Sequence, residues 1–532
     1  MELSPANHTS LGPLGNAADA ALRRLLERDA VARTFAADHT LWRDDPTELA
    51  DRLGWIPVVD EVLADLPALR ARCAALTADV DHVLVMGMGG SSLFPEVLAR
   101  TLATGTGGPT LHVLDSTDPM AIARVAAACP PERTLHLASS KSGSTIETRS
   151  HLEWAWTRSG DPARFAVVTD PGSELGALAR ERGFADVFEN RADIGGRYSA
   201  LSLFGIVPAL LAGVDAEGLL RGGRAALTAC GPDAAAADNP ALALAAAMAA
   251  GVETGRDKLT FLLAPDVAVF GLWVEQLVAE SLGKDGTGVV PVVGEPPDPD
   301  TAWSEDRLLV LGTDREEGVG DEMTDDPARA TLASLGRILV EGGHPVLWLP
   351  VAPTAESLGW AVVVCELATA WAGAAIGVQP FDQPDVAAAK AATNEVLAEG
   401  GAEVDEVPLA DALALVRPGD HLVIQAFVDP DGPVADALEL TRLRLRDELG
   451  VVTTLGFGPR FLHSTGQLHK GGPESIVCVQ AVAPDPDEIP IPGRDFGFGH
   501  LKQAQATGDL RTLQARGIRA ARVPLADLVD DR

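Results

Sequence analysis

The chain reads as an α/β protein: two doubly wound parallel-sheet domains followed by a smaller C-terminal α/β unit. Three observations predict this. Short β-compatible runs alternate with longer stretches of helical period. The turns after the first and third runs are rich in glycine and hydroxyls. The alternation also restarts twice, after a Pro/Gly/Ala-rich passage at 231–239 and after an acidic segment at 399–406. Such alternation builds parallel strands joined by right-handed crossovers. It divides the chain into an N-terminal helical cover at 1–75, α/β domains at 76–230 and 231–398, and a C-terminal α/β domain at 399–532.

Taken in order, residues 17–75 are Ala/Leu/Arg-rich and predict helices, with a turn at 43–46 before a helix resumes at 47–53. The first strand is expected at 82–86. Gly87, Met88, Gly89, Gly90, Ser91 and Ser92 follow, then a helix to about residue 102 and a strand at 111–114 ending on Asp115. Glycines between a strand and a helix let backbone approach a ligand. A dinucleotide fold competes here: Asp115 stands near where a ribose-binding acid would lie, although Ser92 replaces the third fingerprint glycine.

The strand expected at 134–138 feeds Ser139, Ser140, Lys141, Ser142, Gly143, Ser144 and Thr145, and then a helix. Hydroxyls, backbone N–H groups at a helix N-terminus and one ammonium can replace the water shell of a phosphate monoester. A solvated or capping loop fits the same composition. Further strands are expected at 164–169, 259–264, 307–311 and 345–349, and in the C-terminal unit at 421–427, 451–455, 475–480 and 519–523. Helices fall at 267–282, 329–341, 435–449 and 498–516.

Composition narrows the function classes. A net charge of −34 over 532 residues argues against nucleic acid as a partner. It also means that local cations must draw in any phosphorylated ligand. Only six lysines occur, and Lys141 lies in the hydroxyl-rich turn. Five cysteines without a CxxC pair suit a reduced compartment, no zinc spacing is present, and the N-terminal residues lack the pattern of a secretory signal. A cytoplasmic protein is expected. The apolar run 358–378 carries Glu366 centrally and reads as a buried helix, not a membrane span.

One candidate base stands out on the 267–282 helix. Phe270, Trp273, Val274, Leu277 and Val278 form the buried stripe, and Gln276 and Glu280 sit four apart beside it, half-sheltered. Partial desolvation moves a carboxylate toward the range of a general base for carbon-bound protons. A rim glutamate paired to Arg or Lys has the same pattern.

Five stretches together resemble the glucose-6-phosphate isomerase family, which is built from two sugar-isomerase (SIS) domains. They are VMGMGGSSLFPEV at 85–97, SSKSGSTIET at 139–148, DIGGRYSALSLFG at 193–205, EQLVAESLGK at 275–284 and GVQPFDQPDVAAAK at 377–390. Their order and spacing fit over at least 40–395. The C-terminal unit, with GFGPRFLHSTGQLHKGGP and FGHLKQAQATGDL, is similar to the isomerase half of transaldolase/glucose-6-phosphate isomerase fusions, with no transaldolase half expected here.

The resemblance implies that Ser140, Lys141, Ser142 and Thr145 hold a sugar phosphate and that Gly89, Gly90 and Ser91 line the sugar. Glu280 would move a proton between C2 and C1, with Gln276 on the substrate. Arg197 would stabilise an enediolate oxygen, and Lys390 would assist ring opening. One departure concerns the ring-opening histidine. His344, at the start of a strand, matches poorly; His463 and His469 in the C-terminal unit are chemically better placed, and His463 is the nominee.

The implied reaction is metal-free and cofactor-free isomerisation of glucose 6-phosphate to fructose 6-phosphate through a cis-enediol, in glycolysis and gluconeogenesis. Rival readings are an isomerase that also takes mannose 6-phosphate and a non-catalytic phosphosugar sensor. The implied partner is a small-molecule sugar phosphate, with no nucleic acid and no membrane. The family's state is a homodimer, whereas a histidine supplied by the third unit would allow a self-sufficient monomer.

Overall fold

The computed structural model describes residues 10–103, 105, 107–313, 327–399, 404–485 and 487–529. The chain forms two compact units. The first comprises Met1–Ala74, Leu93–Gly108 and Arg191–Asp382, and the second Ala75–Ser92, Pro109–Asn190 and Gln383–Arg532.

In the second unit, β1 (His82–Met86), β2 (Thr110–Leu114), β3 (Thr134–Ser139), β4 (Phe165–Thr169) and β5 (Asp186–Glu189) form a sheet of order β2-β1-β3-β4-β5. The first unit holds β6 (Lys258–Leu263), β7 (Val290–Val292), β8 (Arg307–Thr313) and β9 (Val346–Pro350), in the order β7-β6-β8-β9. The last sheet, again in the second unit, takes β10 (His421–Phe427), β11 (Val452–Phe457), β12 (Ile476–Val482) and β13 (Arg519–Arg522), in the order β11-β10-β12-β13. Neighbouring strands are parallel throughout. In each sheet the second strand is laid on one side of the first and the third on the other. The order therefore reverses between the first and third strands, where open α/β sheets present their ligand loops. In the five-stranded sheet Met86 pairs with Ala138, so the turns after β1 and β3 start side by side.

The C-terminal part of the second unit shares in the interior of the five-stranded sheet. Ile491, Phe498 and Leu501 enter the same apolar cluster as Leu84, Met86, Leu114, Phe165 and Val167. The helix Phe498–Ala515 is buried along nearly its whole length for that reason. The sheet β10–β13 has its own core around Leu422, Ile424, Leu438, Leu445 and Val479. By contrast, the helix Leu93–Thr101 follows β1 in sequence yet packs in the first unit, where Phe94 lies edge-on to Trp273 with ring centroids 6.2 Å apart. The four consecutive blocks expected from the sequence are thus interleaved, because these apolar faces find their partners far along the chain.

The long apolar helix of the first unit is Ala355–Ile376, with Glu366 near its middle. It is the one described helix long and apolar enough to cross a membrane, and 83% of its apolar window is buried within the fold. It crosses the helix Ala216–Ala229 at glycines: a Cβ on Gly359 would stand 1.9 Å from the Leu219 carbonyl oxygen. Two tryptophans tie it down, Trp42 donating to the Ala370 carbonyl at 2.7 Å and Trp371 to the Thr34 hydroxyl at 3.0 Å.

Two local expectations change. Residues 47–53 form turns, not a helix, because Glu48 takes a positive φ of 50° and Leu53 pairs with Ile194. Val290–Val292, where no strand is expected from the sequence, is the short edge strand β7, a place where Pro291 is tolerated since no neighbour needs its missing N–H.

Candidate active site

In the second unit the site grows from the switch between β1 and β3. The turn after β1 brings Gly89, Gly90 and Ser91 into a buried 3-10 turn. A Cβ on Gly87 would lie 2.6 Å from the Ser91 carbonyl oxygen and 3.0 Å from that of Ser139, so only glycine lets the two turns approach. Asp115, at the end of β2, is buried and accepts a fork from Arg460 at 2.8 and 2.9 Å and a bond from Ser92 at 3.1 Å. The dinucleotide reading loses its ribose acid, because that carboxylate is saturated by Arg460.

After β3 the hydroxyls organise one another. Ser140 Oγ lies 3.2 Å from Thr145 Oγ1 and accepts from the Gly143 N–H at 3.2 Å, and Ser142 Oγ lies 3.0 Å from Ser144 Oγ. The Lys141 ammonium is bound by Asp170 at 2.5 Å. A cavity of about 310 Å³ opens beside this loop, near the lower end of the usual small-ligand range. Ser144, Thr145, Ile146 and Glu147 line one side. Thr393 and Asn394 come from the helix Val386–Ala398, and Leu462, His463, Arg494 and Gln505 from the C-terminal segment. Lys390 lies on that same helix, one turn before Asn394, and its side chain is outside the described residues.

Glu147, in the first turn of the helix Ile146–Ser159, is 3% exposed. Its Oε1 meets His463 Nε2 at 2.8 Å and accepts from Gln505 Nε2 at 2.6 Å; Gln505 in turn accepts from the Thr117 hydroxyl at 2.8 Å. Burial alone would raise the pKa of Glu147, but the charge and hydrogen bond of His463 outweigh it and hold the carboxyl at about 2. His469 is fully enclosed, with Nδ1 3.2 Å from Gln425 Nε2, and burial keeps it well below the usual imidazole range. It lines no part of the cavity. His344 belongs to the first unit, and its charged surroundings are Arg256, Glu305 and Arg307. Of the three histidines, only His463 reaches the cavity.

The first unit brings together a second constellation. Glu280, expected half-sheltered on the helix Phe270–Leu282, is buried at 4% exposure. Gln276 Nε2 donates to its Oε2 at 3.1 Å, and Arg197 Nη1 stands 3.4 Å from the same oxygen. Arg197 is itself buried and aimed by four further contacts. Nε donates to Ser281 Oγ at 2.8 Å and to the Pro380 carbonyl at 3.3 Å, and Nη2 donates to the carbonyls of Pro380 and Asp382 at 2.8 and 2.9 Å. Lys284 binds the same 379–382 segment, through Gln379 O, Asp382 O and Asp382 Oδ1 at 2.8, 2.7 and 2.7 Å. Burial, then the charge of Arg197, lowers its pKa to about 7 against the pull of Asp382. A buried carboxylate beside a forked permanent cation and an amide suits proton transfer at carbon next to a developing oxyanion.

The family model described as phosphoglucose isomerase matches residues 50–289. A protein of Rubrobacter xylanophilus named glucose-6-phosphate isomerase is 32% identical over 359 residues, which cover 59% of this chain and 81% of that one. The chain belongs to the phosphoglucose isomerase family. A crystal structure of a hypothetical protein from Thermus thermophilus resembles it with a TM-score of 0.60 and 28% identity, covering 73% of this chain and all of that one. A glucose-6-phosphate isomerase structure from Chlamydia trachomatis, 18% identical, shares the fold at a TM-score of 0.56 over 75% of this chain and 88% of its own.

The span matched by the family model contains Ser140, Glu147, Arg197, Gln276 and Glu280, whereas His463, Arg494 and Gln505 lie outside it. Three residues escaped the sequence reading. Glu147 stands inside a recognised stretch, but an acid in the first turn of a helix reads as an ordinary dipole partner. Gln505 and Arg494 come from a remote part of the chain, with no local pattern to mark them.

Proposed function

We propose that this protein interconverts glucose 6-phosphate and fructose 6-phosphate through a cis-enediolate, serving glycolysis and gluconeogenesis. The observation that carries the reading is the buried Glu280 carboxylate with Arg197 Nη1 at 3.4 Å and Gln276 at 3.1 Å in a chain of this family. The hydroxyl loop after β3 takes the phosphate, whose binding energy comes from a part of the substrate remote from the reacting carbons. His463 gives a proton to the ring oxygen as the C1–O5 bond breaks, and the imidazole takes the O1 proton in return. Glu147 opposite steadies the imidazolium and fixes its orientation. Glu280 then takes the C2 proton, the carbonyl at C1 becoming the enediolate that the Arg197 guanidinium offsets. Return of that proton to C1, with the O2 proton passing to O1, gives the ketose.

A kinship of the C-terminal unit with the isomerase half of transaldolase fusions rests on the resemblance of residues 456–473 and 498–510, the stretches that supply His463 and Gln505 to Glu147. We read the chain on that basis as a cytoplasmic enzyme carrying its own ring-opening histidine. The deciding experiment is a proton NMR time course with glucose 6-phosphate in D2O, with EDTA and without nucleotide. Fructose 6-phosphate should form, and deuterium should enter C2 of recovered substrate. Binding of the sugar phosphate without conversion or exchange would leave a phosphosugar sensor instead.

A further inference from the structure

We infer that Arg494, from the C-terminal segment, supplies the positive charge that receives the substrate phosphate; this rests on the phosphosugar reading of the cavity beside the hydroxyl loop. That cavity must take a dianion in a chain of net charge −34, and one of its walls already carries the Glu147 carboxylate. Screened attraction from afar cannot offset this field, so a local cation is needed. Lys141 is poorly disposed to serve, because its ammonium is held by Asp170 at 2.5 Å and it is not among the residues lining the cavity.

Arg494 lines the cavity with Ser144, Thr145 and His463. Among the described residues it makes no ion pair; its guanidinium lies 5.9 Å from the ring centroid of Phe496. The loop that bears it is anchored, since Pro490 and Gly497 pair antiparallel, Ile491 is buried in the five-stranded sheet's core, and the Arg494 N–H donates to the Ile491 carbonyl at 3.0 Å. A planar fork held at the rim of a hydroxyl-lined cavity matches two phosphate oxygens, with Ser144 and Thr145 left to bind the others.

The test measures KM for glucose 6-phosphate, competitive inhibition by inorganic phosphate, and direct phosphate binding by calorimetry, for the wild type, Arg494→Ala, Arg494→Lys and Lys141→Ala. Arg494→Ala should weaken phosphate binding and raise KM by about 10-fold or more, a loss of about 1.4 kcal/mol. Arg494→Lys should recover part of this, because charge returns without the fork, and Lys141→Ala should cost less than Arg494→Ala. Phosphate affinity within twofold of wild type in Arg494→Ala, or a larger loss in Lys141→Ala, would overturn the assignment. Calorimetry keeps the two readings apart: a wild type that binds phosphate through Arg494 but converts no sugar phosphate would sink the isomerase proposal alone.

Discussion

Glu280 and Glu147 are both carboxylates almost wholly withdrawn from water, at 4% and 3% exposure, yet they are held in opposite ways. Glu280 faces Arg197, a cation at every accessible pH, which is itself fixed by backbone carbonyls. Glu147 faces His463, an imidazole from a distant part of the chain, and is steadied by a neutral amide. A base that must be ionised and stationary suits the first environment. A pair that must lend and recover a proton suits the second.

The largest effect should come from Glu280→Gln. The amide keeps the shape and can still accept from Gln276, but it cannot take a carbon-bound proton. Turnover should fall by about 1000-fold while calorimetry shows retained sugar-phosphate binding. Near wild-type turnover would remove Glu280 from the chemistry and break the comparison on that side.

His463→Ala should cost less, about 100-fold in kcat/KM with glucose 6-phosphate, because ring opening also occurs unaided. Erythrose 4-phosphate, which cannot close a ring because its C4 oxygen carries the phosphate, separates the roles. Its C2 deuterium exchange should survive His463→Ala far better than glucose 6-phosphate turnover does. Equal losses on both substrates would mean that His463 serves something other than ring opening.

The same contrast explains what could be read from the sequence. Most strand positions, β5 and β7 excepted, and the pairing of Gln276 with Glu280 were legible because they are local: apolar runs, helical spacing, and two polar residues one turn apart. Glu280's burial is not legible locally because its partner Arg197 comes from a distant part of the chain and is itself held by the carbonyls of Pro380 and Asp382. His463 was chosen for its chemistry, but nothing local linked it to Glu147, 316 residues away. The interleaving of the two units was hidden for the same reason. Periodicity shows that the helices Leu93–Thr101 and Phe498–Ala515 have apolar faces, not which partner each will find.

A pH test sharpens the comparison on the Arg197 side. Lys284 has its pKa lowered to about 7 in the folded protein, against an ordinary value near 10.5. Between these values the unfolded chain binds the extra proton, so stability rises with pH there and the penalty is complete below pH 7. From pH 7 to 9 the gain attributable to Lys284 is about 2 kcal/mol. Glu147 has the opposite sign, its folded value of about 2 lying below the ordinary one of 4.5. Its contribution is complete above pH 4.5 and is lost as pH falls toward 2. Lys284→Met should therefore flatten the rise in denaturant midpoint between pH 7 and 9 and leave the acid limb in place. An unchanged rise would show that Lys284 stays charged in the fold.

The smallest effect concerns Gln505, which touches Glu147 but not the reacting atoms. Its Nε2 donates to the oxygen that His463 also engages, and the Thr117 hydroxyl fixes its own orientation. Gln505→Leu keeps much of the volume and removes the donor, leaving Glu147 with His463 as the partner of that oxygen. The carboxylate would then be less well satisfied and His463 less firmly oriented. Activity with glucose 6-phosphate should drop by about 5-fold, mostly in kcat, and Gln505→Glu should be worse because it sets a second carboxylate against the first. A mere structural prop would lower stability without separating the two substrates. C2 deuterium exchange of erythrose 4-phosphate should therefore survive Gln505→Leu, as it does His463→Ala, and equal losses on both substrates would reduce this glutamine to packing.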